Sequence, residues 1–150
     1  MEKALYLRDL KAQHSQGIGL SYSQAIKFHG HNGPFLALGF RIGKEIKRFL
    51  KPEGITELLA IVGIEKRKPF TCIIDGLQCS LGTTMGKGNI ILRKGKGWVR
   101  VKNRKTGKAV KFKIKKEVIT RCLNSQDLSQ DADEILKEKG ENLWFSSWSK

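Results

Sequence analysis

Hydrophobic positions recur along this chain with two different periods. In "PFLALGFRIGKEIKRFL" the residues Phe35, Leu38, Ile42, Ile46 and Phe49 are spaced by three and four, as on one face of a helix. A helix is therefore predicted from Phe35 to the break at Pro52 and Gly54. Pro34 suits its first turn, where a missing N–H would have had no helical partner. Gly39 and Gly43 are four apart within it. Glycine in a helix interior costs about 1 kcal/mol, so the pair predicts close approach by another backbone.

The second period is two. Val99, Val101, Val110, Phe112 and Ile114 alternate with Arg100, Lys102, Lys111, Lys113 and Lys115, the pattern of strands with one face on a core and one in solvent. "RKTG" between them predicts a hairpin turn with Gly107 free for a positive φ. "ELLAIVGIE", Glu57 to Glu65, reads as a buried strand and "GNIILRKG" as another. "FTCIIDGLQCSLG" fits either period, but a helix there would put Cys72, Asp75 and Cys79 on one face.

Shorter signals complete the outline. Lys3 to Gln13 reads as an amphipathic helix offering Leu5, Leu7 and Leu10, with Gly17 and Gly19 as breakers. Ser21 or Ser23 caps a helix ending near Phe28, and Ser129 caps one running to Lys139. The tail "LWFSSWSK" carries two tryptophans expected to be exposed. Helices, then strands, then helices predict one α+β domain over 1–150 with a mixed, largely antiparallel sheet. The motif-bearing core spans about 28–114, and a C-terminal helix and tail fill 117–150.

Composition narrows the class. One hundred and fifty residues, 39% of them hydrophobic, can bury a core without staples. "LLAIVGI" is too short to span a bilayer, and the opening lacks a signal peptide's apolar run, so a cytoplasmic protein is expected. Cys72, Cys79 and Cys122 form no C-x-x-C pair, so thiols are expected rather than an all-cysteine zinc ribbon. The net charge is +15, and Gly76 to Lys116 holds thirteen Lys or Arg and no Asp or Glu. Such a block either attracts anions or is a solvated face.

Candidate chemistry falls at three places. In "FHGHNGP", His29 and His31 would project to one side if the segment were extended. Cys72, with Asp75 one helical turn on, could complete three or four donors. Imidazole and thiolate suit zinc, nickel, copper or iron. The competing reading makes the histidines turn residues and the cysteines core. A cysteine–histidine nucleophile is weaker, because no oxyanion hole is evident. "GTTMGKGN" misses the Walker A spacing and its Ser or Thr after lysine, so no nucleotide cofactor is expected. Lys87 could still touch a small anion. Arg100, Lys102, Lys111 and Lys113 could sit on phosphates, with Trp98 as a stacking platform.

Taken together, "FHGHNGPFLALGFRIG", "CIIDGLQCSLGTTMGKGNI" and "VKNRKTGKAVKF" resemble the FmdE family, which takes its name from formylmethanofuran dehydrogenase, over Phe28 to Ile114. The resemblance implies an α+β core, usually a homodimer, with a cleft for a transition metal or a small anionic ligand. Zinc is the first expectation for the metal, with nickel or iron as alternatives. His29, His31 and Cys72 would be ligands. Asp75, Cys79, Thr83, Lys87 and Asn89 would line the ligand side or support it. The family is linked to one-carbon metabolism and to molybdenum or tungsten enzymes. The implied role is therefore an accessory protein, with a nucleic-acid-associated protein or a metal-dependent enzyme as alternatives. This chain departs from the family pattern at Gly33 and Thr83, where relatives carry cysteines, and only Cys122 follows Lys116 where many have a zinc finger. Redox chemistry needing a thiolate at Gly33 is not expected.

Overall fold

In the chain's computed structural model, Lys11 and residues 19–149 are described. The helix expected over Lys3 to Gln13 and the break at Gly17 lie outside them, apart from Lys11, which bridges Gly54. Helix α1 (Tyr22–His29) starts from a capping box, in which the Ser21 hydroxyl accepts from the Gln24 N–H and the Gln24 side chain accepts from the Ser21 N–H. Of the two candidate serines, Ser21 is the cap.

Helix α2 (Pro34–Leu50) is the centre of the molecule. Leu36, Ala37, Leu38, Ile42 and Ile46 are all fully buried, so apolar residues face neighbours nearly all round rather than along one stripe. The predicted stripe needs one correction. Phe49 is 40% exposed and stacks on Trp148 with ring centroids 3.9 Å apart, while Leu50 takes the core position.

The expected close approach is made by helix α3 (Cys72–Leu81), which settles the ambiguous segment as helical. A Cβ on Gly39 would stand 2.2 Å from the Ile73 carbonyl oxygen, and one on Gly43 would stand 2.0 Å from Ser80 Oγ. Gly76 returns the contact, with a Cβ there 2.4 Å from the Leu36 oxygen. The two helices touch backbone to backbone. These contacts advance in the same sense along both, so their N-termini lie at the same end.

Among the described residues five strands form one sheet in the order β2-β1-β3-β4-β5. β1 (Leu58–Ile64) and β2 (Ile90–Lys94) are parallel, joined through α3. β3 (Trp98–Asn103), β4 (Ala109–Ile114) and β5 (Trp144–Ser149) add antiparallel neighbours. The inner face buries Ala60, Val62, Val99, Val101, Phe112 and Ile114 against the helices, as the alternation required. The fold is α+β with a mixed, largely antiparallel sheet.

The C-terminal third is richer than the sequence suggested. Helix α4 (Lys116–Leu123) buries only Val118 and Cys122, too few apolar positions to show a period. Helix α5 (Leu128–Lys137) is capped by Asp127, whose carboxylate accepts from the Gln130 N–H, and not by Ser129. The tail is a strand, not a loose end. Trp144 pairs with Ile114 and is 7% exposed, whereas Trp148 remains 46% exposed. Among the described residues no helix is long and apolar enough to cross a membrane.

Replacing Gly39 by alanine forces a methyl group against the Ile73 carbonyl. Overpacking of this kind costs about 1–3 kcal/mol. The urea midpoint should fall by the corresponding amount with an unchanged m value, and a wild-type midpoint would show that the helices can separate freely.

Candidate metal centre

His29 is the last residue of α1, and Gly30 caps it in the left-handed region with φ 106°. That turn, open to glycine at little steric cost, reverses the chain and lays His31 beside His29, with ring centroids 4.7 Å apart. The segment is therefore not extended. The histidines meet because the helix ends between them. Tyr22 donates to Asn32 Oδ1 at 2.5 Å, and Asn32 donates to Asp133 Oδ1 at 3.3 Å, tying the loop to α1 and α5. Burial, with Asp133 second, pushes the Tyr22 phenol up to about 12, so it stays a donor.

Cys72 begins α3, which the glycine contacts place beside the start of α2. One donor atom from each of His29, His31 and Cys72 lies within 4.8 Å of the other two. Asp75, one turn along α3, meets His29 Nδ1 through Oδ2 at 2.6 Å. Its other oxygen accepts from Gln78 Nε2 at 3.4 Å, and Gln78 Oε1 accepts from the Met85 N–H at 2.9 Å. The carboxylate is thus held on both sides.

His29 Nε2 is buried and has no hydrogen-bond partner. With Nδ1 donating to Asp75, Nε2 carries the lone pair. A buried polar atom left unpaired costs roughly 1–3 kcal/mol. A metal ion would remove that deficit, and a carboxylate behind a ligating imidazole is the usual support for one. Two nitrogens and a sulfur are borderline-soft donors matched to zinc, nickel or iron. The residues present fit a metal. The Cys72 thiol is held above its ordinary pKa by burial first and Asp75 second, with Lys68 opposing, so it is protonated at neutral pH until something displaces the proton.

A cleft of about 290 Å³ opens beside these groups, lined by His31, Gly33, Pro34, Phe35, Lys68 and Cys72 among others. Ser125 and Cys122 close its far wall, and Ser125 Oγ is buried without a partner. Lys68 and Ser125 were not singled out from the sequence. No motif carries them, and only the placement of α4 and the turn before α3 brings them here.

Other expected site residues fall elsewhere. Cys79 shares the helix face of Cys72 and Asp75 but lies two turns on, packed with Ala25 and Phe40, where burial and then Asp75 push its thiol up to about 11. Thr83 is buried, and its hydroxyl is unpartnered. Asn89 accepts from the Thr84 N–H and donates to the Ile55 oxygen, which makes it a loop brace. Lys87 is exposed and donates to Thr84 Oγ1 at 2.9 Å. None of these four lines the cleft.

Arg100, Lys102, Lys111 and Lys113 are exposed on the outer sheet face. Trp98 is not the open platform expected beside them. Its indole lies flat over Gly63 and Gly95, with the Lys111 ammonium 5.2 Å from the ring centroid. The neighbours that cover the ring come from adjacent strands and turns and could not be read from alternation alone.

Residues 28–147 match the family described as "FmdE, Molybdenum formylmethanofuran dehydrogenase operon". The chain belongs to the FmdE family. A curated relative, "Probable S-adenosyl-L-methionine-binding protein" of Archaeoglobus fulgidus, is 29% identical over 124 residues, covering 78% of this chain and 32% of the relative. This FmdE chain therefore spans about a third of that protein's length. The family match runs past Ile114 to residue 147, so it takes in α4, α5 and most of β5 along with the motifs.

Thiol accessibility in this FmdE chain should be graded. Cys72 is half-buried, while Cys79 and Cys122 are buried, the last held at about 12 by burial. Iodoacetamide should label Cys72 first in the native protein, faster as pH rises above neutrality because the thiolate is the nucleophile. Mass spectrometry showing Cys122 labelled first would contradict this packing.

Proposed function

We propose that this protein is a metal-binding accessory protein of the FmdE type, holding a transition metal through His29, His31 and Cys72. The observation that carries the reading is the buried, unpartnered Nε2 of a histidine whose Nδ1 is fixed by Asp75. Zinc is the first choice, with nickel or iron as alternatives. Asp75 orients His29. Three protein donors would leave a coordination position open, and His31 and Cys72 line the cleft, the arrangement of sites that expose the ion to a ligand. Lys68 at that cleft and the free hydroxyl of Ser125 favour a small anion there. When bound, the ion would polarise that ligand.

The setting follows from membership. The family's operon context supports a role beside a formylmethanofuran dehydrogenase or another molybdenum or tungsten enzyme of one-carbon metabolism. Free thiols suit a reducing cytoplasm. A homodimer is the accompanying expectation, supported by the edge strand β5, whose Trp148 is 46% exposed on the side away from the lysine face. S-adenosylmethionine binding is not carried over from the relative, two-thirds of which lies outside the shared region.

Zinc titration against a competing chelator tests the centre. One equivalent should bind the wild type, and His29→Ala/His31→Ala should bind none. Asp75→Asn should bind about 10–100-fold more weakly. Coordination displaces the Cys72 proton, so affinity should rise about tenfold per pH unit through neutrality. Equal zinc affinity in the wild type and the double histidine variant would end the proposal.

A further inference from the structure

The outer face of the sheet is absorbed by none of this. Alternation and register arrange it as a grid. One row reads Arg93, Gly63, Trp98, Lys113 and Phe145 across the five strands, and the next reads Ile91, Ile61, Arg100, Lys111 and Ser147. Lys102 sits in the third row opposite Leu59 and Ala109. Five cations stand on this face, all exposed, and none of its described residues is a carboxylate.

The arrangement is unfavourable to the fold by itself. Arg100 lies directly opposite Lys111, and like charges in cross-strand register destabilise a sheet. Among the described residues no salt bridge neutralises either one. Charges meant only for solubility work as well when interspersed with acids, and this chain does place acids elsewhere. Along β3 the Arg100 and Lys102 side chains are two residues apart, as are Lys111 and Lys113 along β4. That is roughly 6.5 Å at the strand rise, comparable to successive phosphates of an extended single strand.

We propose that this face binds single-stranded nucleic acid through its phosphates. The cation pairs along β3 and β4 track the backbone, and the half-buried Leu59, Ile61 and Ile91 beside them offer an apolar floor to the bases. Phe145, 62% exposed at the end of the first row, has the Lys115 ammonium 4.9 Å from its ring centroid and offers the rest of its ring for a base to stack on. Trp98 contributes by holding Lys111 in place. Readout of base identity is not implied, since the contacts are electrostatic and sequence-tolerant. A duplex fits less well, because its grooves admit helices or ribbons and this face presents neither.

Fluorescence anisotropy of the full chain with a labelled 20-nucleotide oligouridylate tests the proposal. Four phosphate contacts predict that affinity falls on the order of 50-fold between 50 and 200 mM salt. Arg100→Gln/Lys111→Gln should weaken binding at least tenfold and flatten the salt dependence, while its melting temperature stays level or rises as the opposed charges go. Lys44→Gln/Lys137→Gln, on the helical side, should bind as the wild type does. Equal loss in both pairs would reduce the effect to net charge and overturn the assignment. So would tighter binding to a duplex of the same length, to anionic vesicles, or no anisotropy change at 50 mM salt. The test does not involve the metal, so its outcome is independent of the proposed centre.

Discussion

The backbone contact between α2 and α3 is what the rest of the structure depends on. Gly39 and Gly76 let the two backbones meet, and Gly43 makes room for the Ser80 hydroxyl. Because the contact is parallel in sense, it fixes the start of α3 against the start of α2. His31 stands just before one start and Cys72 at the other, so two rigid helices set how far the histidine loop lies from the thiol. Sites carried on such elements hold their geometry better than sites on loops. The histidine loop still needs fastening, which the Tyr22, Asn32 and Asp133 hydrogen bonds supply.

Asp75 works within that frame. Its position on α3 is dictated by the same packing, and both oxygens are engaged, one by His29 and one by Gln78. An anchored carboxylate leaves the imidazole one tautomer, and so one nitrogen to offer. The chain thus leaves a buried, unpaired atom at a defined place. Protein interiors tolerate few of these, and when one coincides with two further donors and a cleft, binding is the economical explanation.

Much of the fold was legible because the periods were clean. The α2 stripe, the Gly39 and Gly43 approach and the β3–β4 alternation each come from a single physical requirement visible in local spacing. The convergence of His29, His31 and Cys72 was readable only as a possibility, since no local pattern reports a contact across more than forty residues. Even there the reason was different: the histidines are brought together by the glycine cap at Gly30, not by an extended strand. What stayed hidden was tertiary. Phe49 yields its core place to Leu50 and packs on Trp148, a partner far away along the chain. Cys79 has the right helical face and the wrong distance along it. Lys87 and Asn89 sit in a motif, yet their side chains brace their own loop.

Gly33 stands at the edge of the centre. It is the N-cap of α2 with φ −149°, a conformation open to any residue, and a Cβ there would stand 2.9 Å from His31 Cε1. A side chain at this position would press on the imidazole, so the glycine makes room for the His31 ring beside the cleft. A vault and a workbench differ by whether the last coordination vertex is sealed, and with the three proposed donors no side chain from position 33 would seal it. The chain would then trade grip for access. An ion in this pocket would exchange partners more readily than one locked behind a fourth protein donor.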